Sequence, residues 1–398
     1  MSQRDDISRL IEKYADFNPD RLHDASLGLP LAVPSFGAAE IGEAISALLS
    51  GWVTMGKRVA AFEEAWASQV GTTEAIAVNS GSSALLVMLT ALIAEGHLRR
   101  GDEVLVPAVG WSTSLFSVVQ AGLTAVIVDI DPDSLCIEGK RDRPALALHM
   151  LGCPSRVTAP LIIEDACGAH GAMIGDKPVG SLGIAAAFSF FFSHHITTGE
   201  GGAVTTSDPA LADAARSIRA HGWTRERTDA AAQAAARPDI DPRFLFVTPG
   251  YNLRMTDLAG AFGMHQVGRL DAFVARRRAN HIDWCARIDA LGLPLRTFPE
   301  LPGTRHAAFA FPLLLSEDCP LTRAQLCAHL EAAGIATRPI SGSNLARQPA
   351  FERLVGVRVE GELPVADAVH ERGLFVGQSH AFGTDHGTLL ASTLLSAF

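Results

Sequence analysis

Lysine is almost missing from this 398-residue chain: it occurs at Lys13, Lys57, Lys140 and Lys177 and nowhere after that. Arginine carries the rest of the positive charge, so chemistry that needs a lysine amine as nucleophile has no donor in the C-terminal half. Cysteine is sparse and scattered. Cys136, Cys153, Cys167, Cys285, Cys319 and Cys327 form no close C-x₂-C pair, which removes the usual zinc and iron–sulfur spacings and reads as thiols buried in a reducing compartment. No apolar run approaches the roughly 20 residues of a spanning helix, and Met1 to Asp6 lacks the hydrophobic stretch of a secretion signal. The net charge is −10 with no basic block, which argues against nucleic acid. The expectation is a soluble, cytoplasmic protein with no metal, no membrane and no nucleic-acid partner. No internal repeat is visible.

What is present is a large apolar fraction. Hydrophobic residues make up 48% and mean hydropathy is +0.19, so the chain is globular and long enough for one large and one smaller domain. The most informative stretch runs from Phe188 to Gly202. Its aromatic run, Phe188 to Phe192, reads as a buried strand that breaks at His194-His195 into a glycine-rich turn, followed by a short strand from Ala203 to Thr206.

Other strand ends carry polar residues in the same way. Ala75 to Val78 reads as a strand and Ser83 to Ala94 as a helix; Asn79-Ser80-Gly81-Ser82-Ser83 between them suits a phosphate at a helix N-terminus, although Ser82 or Ser83 can equally cap the helix. Val104 to Pro107 is a strand followed by Trp111, placed where a planar ligand can stack. Leu161 to Gly171 reads as a buried strand running into a turn, and a carboxylate there, Asp165, needs a partner to stay charged. The spacing further predicts helices over Ala38–Leu49, Arg58–Val70 and Leu211–Ala220, a surface helix over Asp229–Arg237 and a long helix from near Thr256. Thr322 is expected to cap a helix to Ala333, strands are expected over Arg305–Leu314 and Gly334–Pro339, and a short helix over Ile7–Tyr14.

The segment Ser189, His194 and Thr197-Thr198-Gly199-Glu200-Gly201-Gly202 resembles the cofactor-lysine segment of the DegT/DnrJ/EryC1/StrS sugar aminotransferases, with His194 at the lysine position. A histidine there marks the branch of pyridoxamine-dependent 3-dehydratases acting on nucleotide-linked 4-keto-6-deoxy sugars. The run Arg219-Ala220-His221-Gly222-Trp223-Thr224-Arg225 looks like one in the GDP-4-keto-6-deoxy-mannose members, and the resemblance extends from about residue 29 to the C-terminus.

The resemblance implies a type I aminotransferase fold, an α/β architecture with a mostly parallel sheet and a smaller C-terminal α/β domain. It divides the chain into an N-terminal arm (1–30), a large cofactor-binding domain (31–275) and a small domain (276–398). It assigns pyridoxal or pyridoxamine phosphate (PLP/PMP) as cofactor, held by Gly81, Ser82, Ser83, Trp111, Asp165 as pyridinium anchor, Ser189, and Asn252 reaching the phosphate of the other subunit in a homodimer with shared active sites. His221 and Arg338 are implied on the substrate side, a nucleotide sugar as substrate and glutamate as amino donor. His194 becomes the catalytic base, with an ordinary imidazole pKa of about 6.5 suited to proton transfer near neutrality.

Three departures accompany the match. Helices expected around residues 139–160 are shortened or lost, Gly168 replaces a Gln or Glu beside the cofactor, and Gln378-Ser379 stands in a partly matching Gly-Asn-His-His segment. The Gly168 and Gln378-Ser379 positions leave open a PLP enzyme of the same branch acting on another carbonyl or amine substrate. Two further alternatives are an iron–sulfur-assisted dehydratase, which the cysteine pattern disfavours, and a catalytically silent cofactor-binding paralogue, against which the retention of His194, Asp165, Trp111 and Ser189 argues.

Overall fold

A computed structural model describes residues 28–398, together with Arg9, Leu10 and Lys13. Of the expected helix over Ile7–Tyr14, only those three residues lie among the described ones.

The elements follow the apolar pattern closely. Helices α1 (Ala38–Leu49) and α2 (Lys57–Val70) precede strand β1 (Glu74–Val78) and helix α3 (Gly81–Ala94). Then come β2 (Glu103–Pro107), α4 (Ser112–Gln120), β3 (Thr124–Val128), β4 (Ala145–Leu148), β5 (Ile162–Asp165), β6 (Ala185–Ser189) and β7 (Gly202–Thr206). The next helices are α5 (Pro209–Arg219), started by an Asp208 cap with proline in its first turn, and the exposed α6 (Ala230–Ala236). The expected long helix is two: α7 (Asp257–Val267), capped by Thr256, ends at Gly268, and α8 (Leu270–Asp289) restarts beyond it.

Seven of these strands and one later strand form the main sheet, in the order β1-β7-β6-β5-β4-β2-β3 plus Val357–Val359. Only β7 runs antiparallel. Parallel strands are covered on both faces, which is why these read as nearly unbroken apolar runs. β4, Ala-Leu-Ala-Leu, is buried throughout. One face packs α3, α4 and α5; the other packs Trp66, Phe188 and Phe190 edge to face.

No α-helix occurs between Gln120 and Pro209. The shortened segment instead covers the sheet itself: Ile137 and Val157 pack on Leu105, Val126 and Ala147. A short turn at Met150–Gly152 closes it.

The smaller sheet contains β8 (Ala310–Leu315), β9 (Thr337–Pro339) and, after β10 (Val357–Val359) has returned to the main sheet, β11 (Gly373–Gly377). Helix Arg323–Ala332 carries the expected Thr322 cap as a full capping box with Gln325. The expected strand over Arg305–Leu314 is split. Ala307 and Phe309 donate their N–H groups to Gly152 and Leu151, which pulls His306–Phe309 into a turn with Ala308 at φ +49°. The strand expected over Gly334–Pro339 begins only at Thr337, because Ile335 and Ala336 pair with Leu29 instead.

Candidate active site

Gly81, Trp111, Asp165, Ser189 and His194 all lie at or just beyond the carboxyl ends of the parallel strands β1, β2, β5 and β6, and loops leaving that end meet across the sheet. The aromatic run contributes less strand than expected. β6 is Ala185–Ser189, whose small side chains suit the crowded sheet centre, while Phe190 leaves the ladder to bond Gly201 and pack under Trp66. His194 thus sits in a tight turn, its main-chain N–H donated to Phe191 at 3.0 Å.

At the start of α3 the cap is Ser80, not Ser82 or Ser83. Its hydroxyl accepts the Ser83 N–H at 3.1 Å, and the Ser83 hydroxyl is taken up by Asn79 at 2.6 Å. Ser82 is exposed. Gly81 has to be glycine: a Cβ there would lie 2.5 Å from the Ser189 Cβ and 3.0 Å from the Cys167 sulfur. The same closeness recurs at Gly202, where a Cβ would lie 2.3 Å from the Ser80 carbonyl oxygen. These two contacts lock the α3 N-terminus against β6 and β7.

Trp111 occupies the N-cap position of α4 with 63% of its surface open. One turn on, Ser114 donates its hydroxyl to Asp165 at 2.6 Å, and Cys167 donates its N–H to the same carboxylate at 3.2 Å. Both partners are neutral, and no ion pair among the described residues includes Asp165. Ser114 was missed by sequence reading, although its place three residues after Trp111 puts it on the site-facing side of the helix.

His194 is half-buried. Its ring lies 5.1 Å from Phe309 and 5.6 Å from His170, and its Nδ1 is buried without a partner among the described residues. The ordinary pKa expected for it does not hold. Burial, reinforced by the Arg277 guanidinium, lowers it from 6.5 to about 3. His195 turns away and is fully buried, with Nε2 donating to the Ala307 carbonyl at 2.9 Å. Around Gly168, chain neighbours aside, the one atom among the described residues within 4 Å of an added Cβ belongs to Phe309, at 3.9 Å, so the missing side chain leaves space bordered by that ring.

Asn252 and His221 lie together on a separate, partly exposed ledge. Ala220 and Asn252 form a β-bridge, His221 donates its N–H to Tyr251, and Arg254 donates to the Asn252 side-chain oxygen at 3.0 and 3.1 Å. His221 adopts φ +64° to make this turn. No hydrogen bond or ring contact joins this ledge to His194 within the described residues of one chain. Arg338 is exposed on β9 of the smaller sheet. Among the described residues no cluster of three or more His, Cys, Asp or Glu is arranged to hold a metal, and no helix is long and apolar enough to cross a membrane.

Residues 34–145 and 156–394 match the DegT/DnrJ/EryC1/StrS aminotransferase family, the break falling inside the shortened 139–160 segment. The chain is 35% identical to GDP-4-keto-6-deoxy-D-mannose 3-dehydratase of Yersinia pseudotuberculosis, over 88% of this chain and 94% of that protein. Among solved structures it resembles the E. coli GDP-4-keto-6-deoxy-D-mannose 3-dehydratase with bound hydrated PLP, at TM-score 0.85 and 30% identity over 92% and 99% of the two chains. A GDP-4-keto-6-deoxymannose 3-dehydratase structure with a trapped PLP–glutamate geminal diamine gives TM-score 0.84 and 30% identity, over 92% of this chain and 100% of that one. The main sheet, the smaller C-terminal sheet and the gathered loops are thus those of the aminotransferase fold, and this chain belongs to the DegT/DnrJ/EryC1/StrS aminotransferase family.

Proposed function

We propose that this protein is a PLP/PMP-dependent lyase that removes the C3 hydroxyl of a nucleotide-linked 4-keto-6-deoxy sugar, with a GDP-linked sugar as the first substrate to test and glutamate as amino donor. The observation that carries the reading is His194, an uncharged imidazole at the position where the family's segment has lysine. The relatives named above share that activity in their names.

The residues present fit the cofactor. Asp165 is a carboxylate 2% exposed with only neutral partners, and a cationic ring nitrogen is the group that offsets its burial. The α3 N-terminus, kept bare by Gly81, offers its free N–H groups and the Ser82 hydroxyl to a phosphate. Trp111 presents an open ring face, and Ser189 borders the same loop.

When bound, the cofactor supplies an amine that condenses with a ketone and an electron sink that makes the adjacent C–O bond breakable. The chain's own residues do the rest. Asp165, fixed by Ser114, orients the ring. His194 has no lysine rival, stays unprotonated at neutral pH, accepts a proton and returns it to the departing hydroxyl, which leaves as water.

The partner assignment is part of the same proposal. Leu48, Leu49, Trp52 and Val53 are exposed together around the end of α1, and Asn252 is exposed on its ledge; both support a second copy that completes the site. Mixing Asn252→Ala with His194→Ala chains is then expected to restore activity in hybrid dimers. The cytoplasmic assignment rests on six unpaired cysteines.

The deciding experiment incubates the protein with PLP, glutamate and GDP-4-keto-6-deoxymannose. A 3-deoxy sugar product is expected, and borohydride treatment is expected to leave no cofactor on any lysine. A covalent lysine adduct, or an aminated sugar with its C3 hydroxyl intact, would overturn the reading.

A further inference from the structure

Arg277 on α8 is a charge that the fold itself does not neutralise. It is 2% exposed, and its Nη1 donates to the main-chain oxygens of Ala308 (3.4 Å), Phe309 (3.2 Å) and Gln378 (2.5 Å). Its Nε is buried without a partner, and no ion pair among the described residues includes it. Carbonyl dipoles at these distances satisfy hydrogen bonds but bring no counter-charge, so a buried guanidinium left this way is costly. Elsewhere in the molecule buried arginine is paired: Arg219, 3% exposed, is held by both Glu63 and Glu226.

Imidazoles sit on the segments that hold Arg277. Phe309, whose carbonyl accepts from Arg277, has its ring against His194; His195 bonds Ala307, next to Ala308; His380 lies two residues beyond Gln378; and His170, from the turn after β5, packs on both His194 and His195. The positive charge of Arg277 lowers the pKa of all four. The rings of His170, His194 and His195 lie 5.2 to 5.6 Å apart where they meet. Phe309 lies against His194, with ring centroids 5.1 Å apart. The ring contacts of His194 are with His170 and Phe309, and no ion pair or hydrogen bond among the described residues joins it to a carboxylate. A histidine base is commonly oriented and made more basic by a neighbouring carboxylate. This one has the opposite surroundings.

We propose that Arg277 is a positioning residue for proton transfer: a fixed positive charge buried beside His194 that keeps the imidazole in its uncharged, proton-accepting form while phosphate-bearing ligands occupy the site. The proposal rests on the functional reading above. Its physical need comes from the ligands. A cofactor phosphate and a nucleotide diphosphate bring several negative charges, each of which favours imidazolium; a buried cation opposes them and leaves the base free to accept a proton. Arginine suits this place because burial pulls Arg277 only to about 9, so it remains charged at neutral pH, whereas a buried lysine readily gives up its proton. Three carbonyls from two segments hold the charge still.

The test follows His194 directly by ¹³C/¹⁵N imidazole shifts, assigned by their loss in His194→Asn, in protein alone and loaded with pyridoxamine phosphate. Arg277→Gln removes the charge but keeps an N–H donor for the carbonyls. It is expected to raise the His194 midpoint, and with it the acidic limb of kcat, by about one pH unit or more. Arg277→Lys is expected to stay near wild type while its ammonium is protonated, and then to show a second step in the His194 shift as that ammonium titrates below its usual 10.4. A folded Arg277→Gln protein with unchanged midpoint and unchanged acidic limb would overturn the proposal. Should Arg277→Gln not fold, the Arg277→Lys titration decides, and absence of the second step overturns it equally. The shift measurement needs no sugar substrate, so failure of the dehydration assay with wild-type protein would refute the function without touching this result.

Discussion

Glu164 and Asp165 are consecutive on β5 and almost equally buried, yet the chain treats them in opposite ways. Glu164 points to the face where every bond is made: N–H groups of Gly180, Leu182 and Gly183 reach its oxygens at 2.7 to 2.8 Å. His149 adds a fourth contact at 3.1 Å, and the Ser155 N–H donated to its Nδ1 fixes Nε2–H as the donor to Glu164. Asp165, on the other face, has one hydroxyl and one N–H. Both His194 and His195 leave Nδ1 without a partner among the described residues, but His195 is sealed and bonded through Nε2 to Ala307, whereas His194 is half-open. In each pair the more enclosed member holds structure together, and its neighbour keeps capacity for something the chain does not contain. Strand alternation puts Glu164 and Asp165 on opposite faces, so one residue step separates support from chemistry.

The histidine pair gives the largest expected effect. His194→Asn is expected to slow hydroxyl elimination by about 10²- to 10⁴-fold while cofactor binding, followed by absorbance, persists. His195→Asn is expected to lower stability and leave elimination within a few-fold. If single-turnover elimination instead survives His194→Asn and fails in His195→Asn, the roles are reversed.

The carboxylate pair separates stability from binding. Glu164→Gln is expected to cost about 2–4 kcal/mol in urea denaturation, because it weakens a buried, fully bonded network. Asp165→Asn is expected to leave the urea midpoint near wild type and to weaken PLP retention in equilibrium dialysis. Equal losses of stability in the two variants would dissolve the distinction.

A smaller, graded effect concerns acid. Burial lowers His170 and His195 well below 6.5, His194 to about 3 and His380 to about 4. A depressed imidazole binds fewer protons folded than unfolded, so stability is full above about pH 6.5 and declines as pH falls toward the folded values. Urea midpoints at pH 7.5, 6 and 5 are expected to drop in that order. A flat profile would mean that these rings are already solvated.

Much of the fold was legible because its signals are local. Unbroken apolar strands, the Thr322 cap and the glycine-rich turn after Phe192 each depend on residues near in sequence, and most elements lie within a few residues of where the pattern puts them. The departures came from contacts across the chain. The Arg305–Leu314 strand broke because the Leu151–Gly152 turn captured it, and the Gly334–Pro339 strand starts late because Leu29 pairs with Ile335 and Ala336.

By itself the sequence determined the family, the histidine at the lysine position, the buried acidic strand end and the absence of any late lysine, since each is a matter of residue type and order. It could not show that Ser114 holds Asp165, that Phe309 borders the space at Gly168, or that Arg277 out of a run of three arginines is the one buried among imidazoles. Those were decided by tertiary structure alone. Burial, and the electrostatics it strengthens, depend on which distant segments close over a side chain, and that is what moved His194 from an ordinary imidazole to one held uncharged.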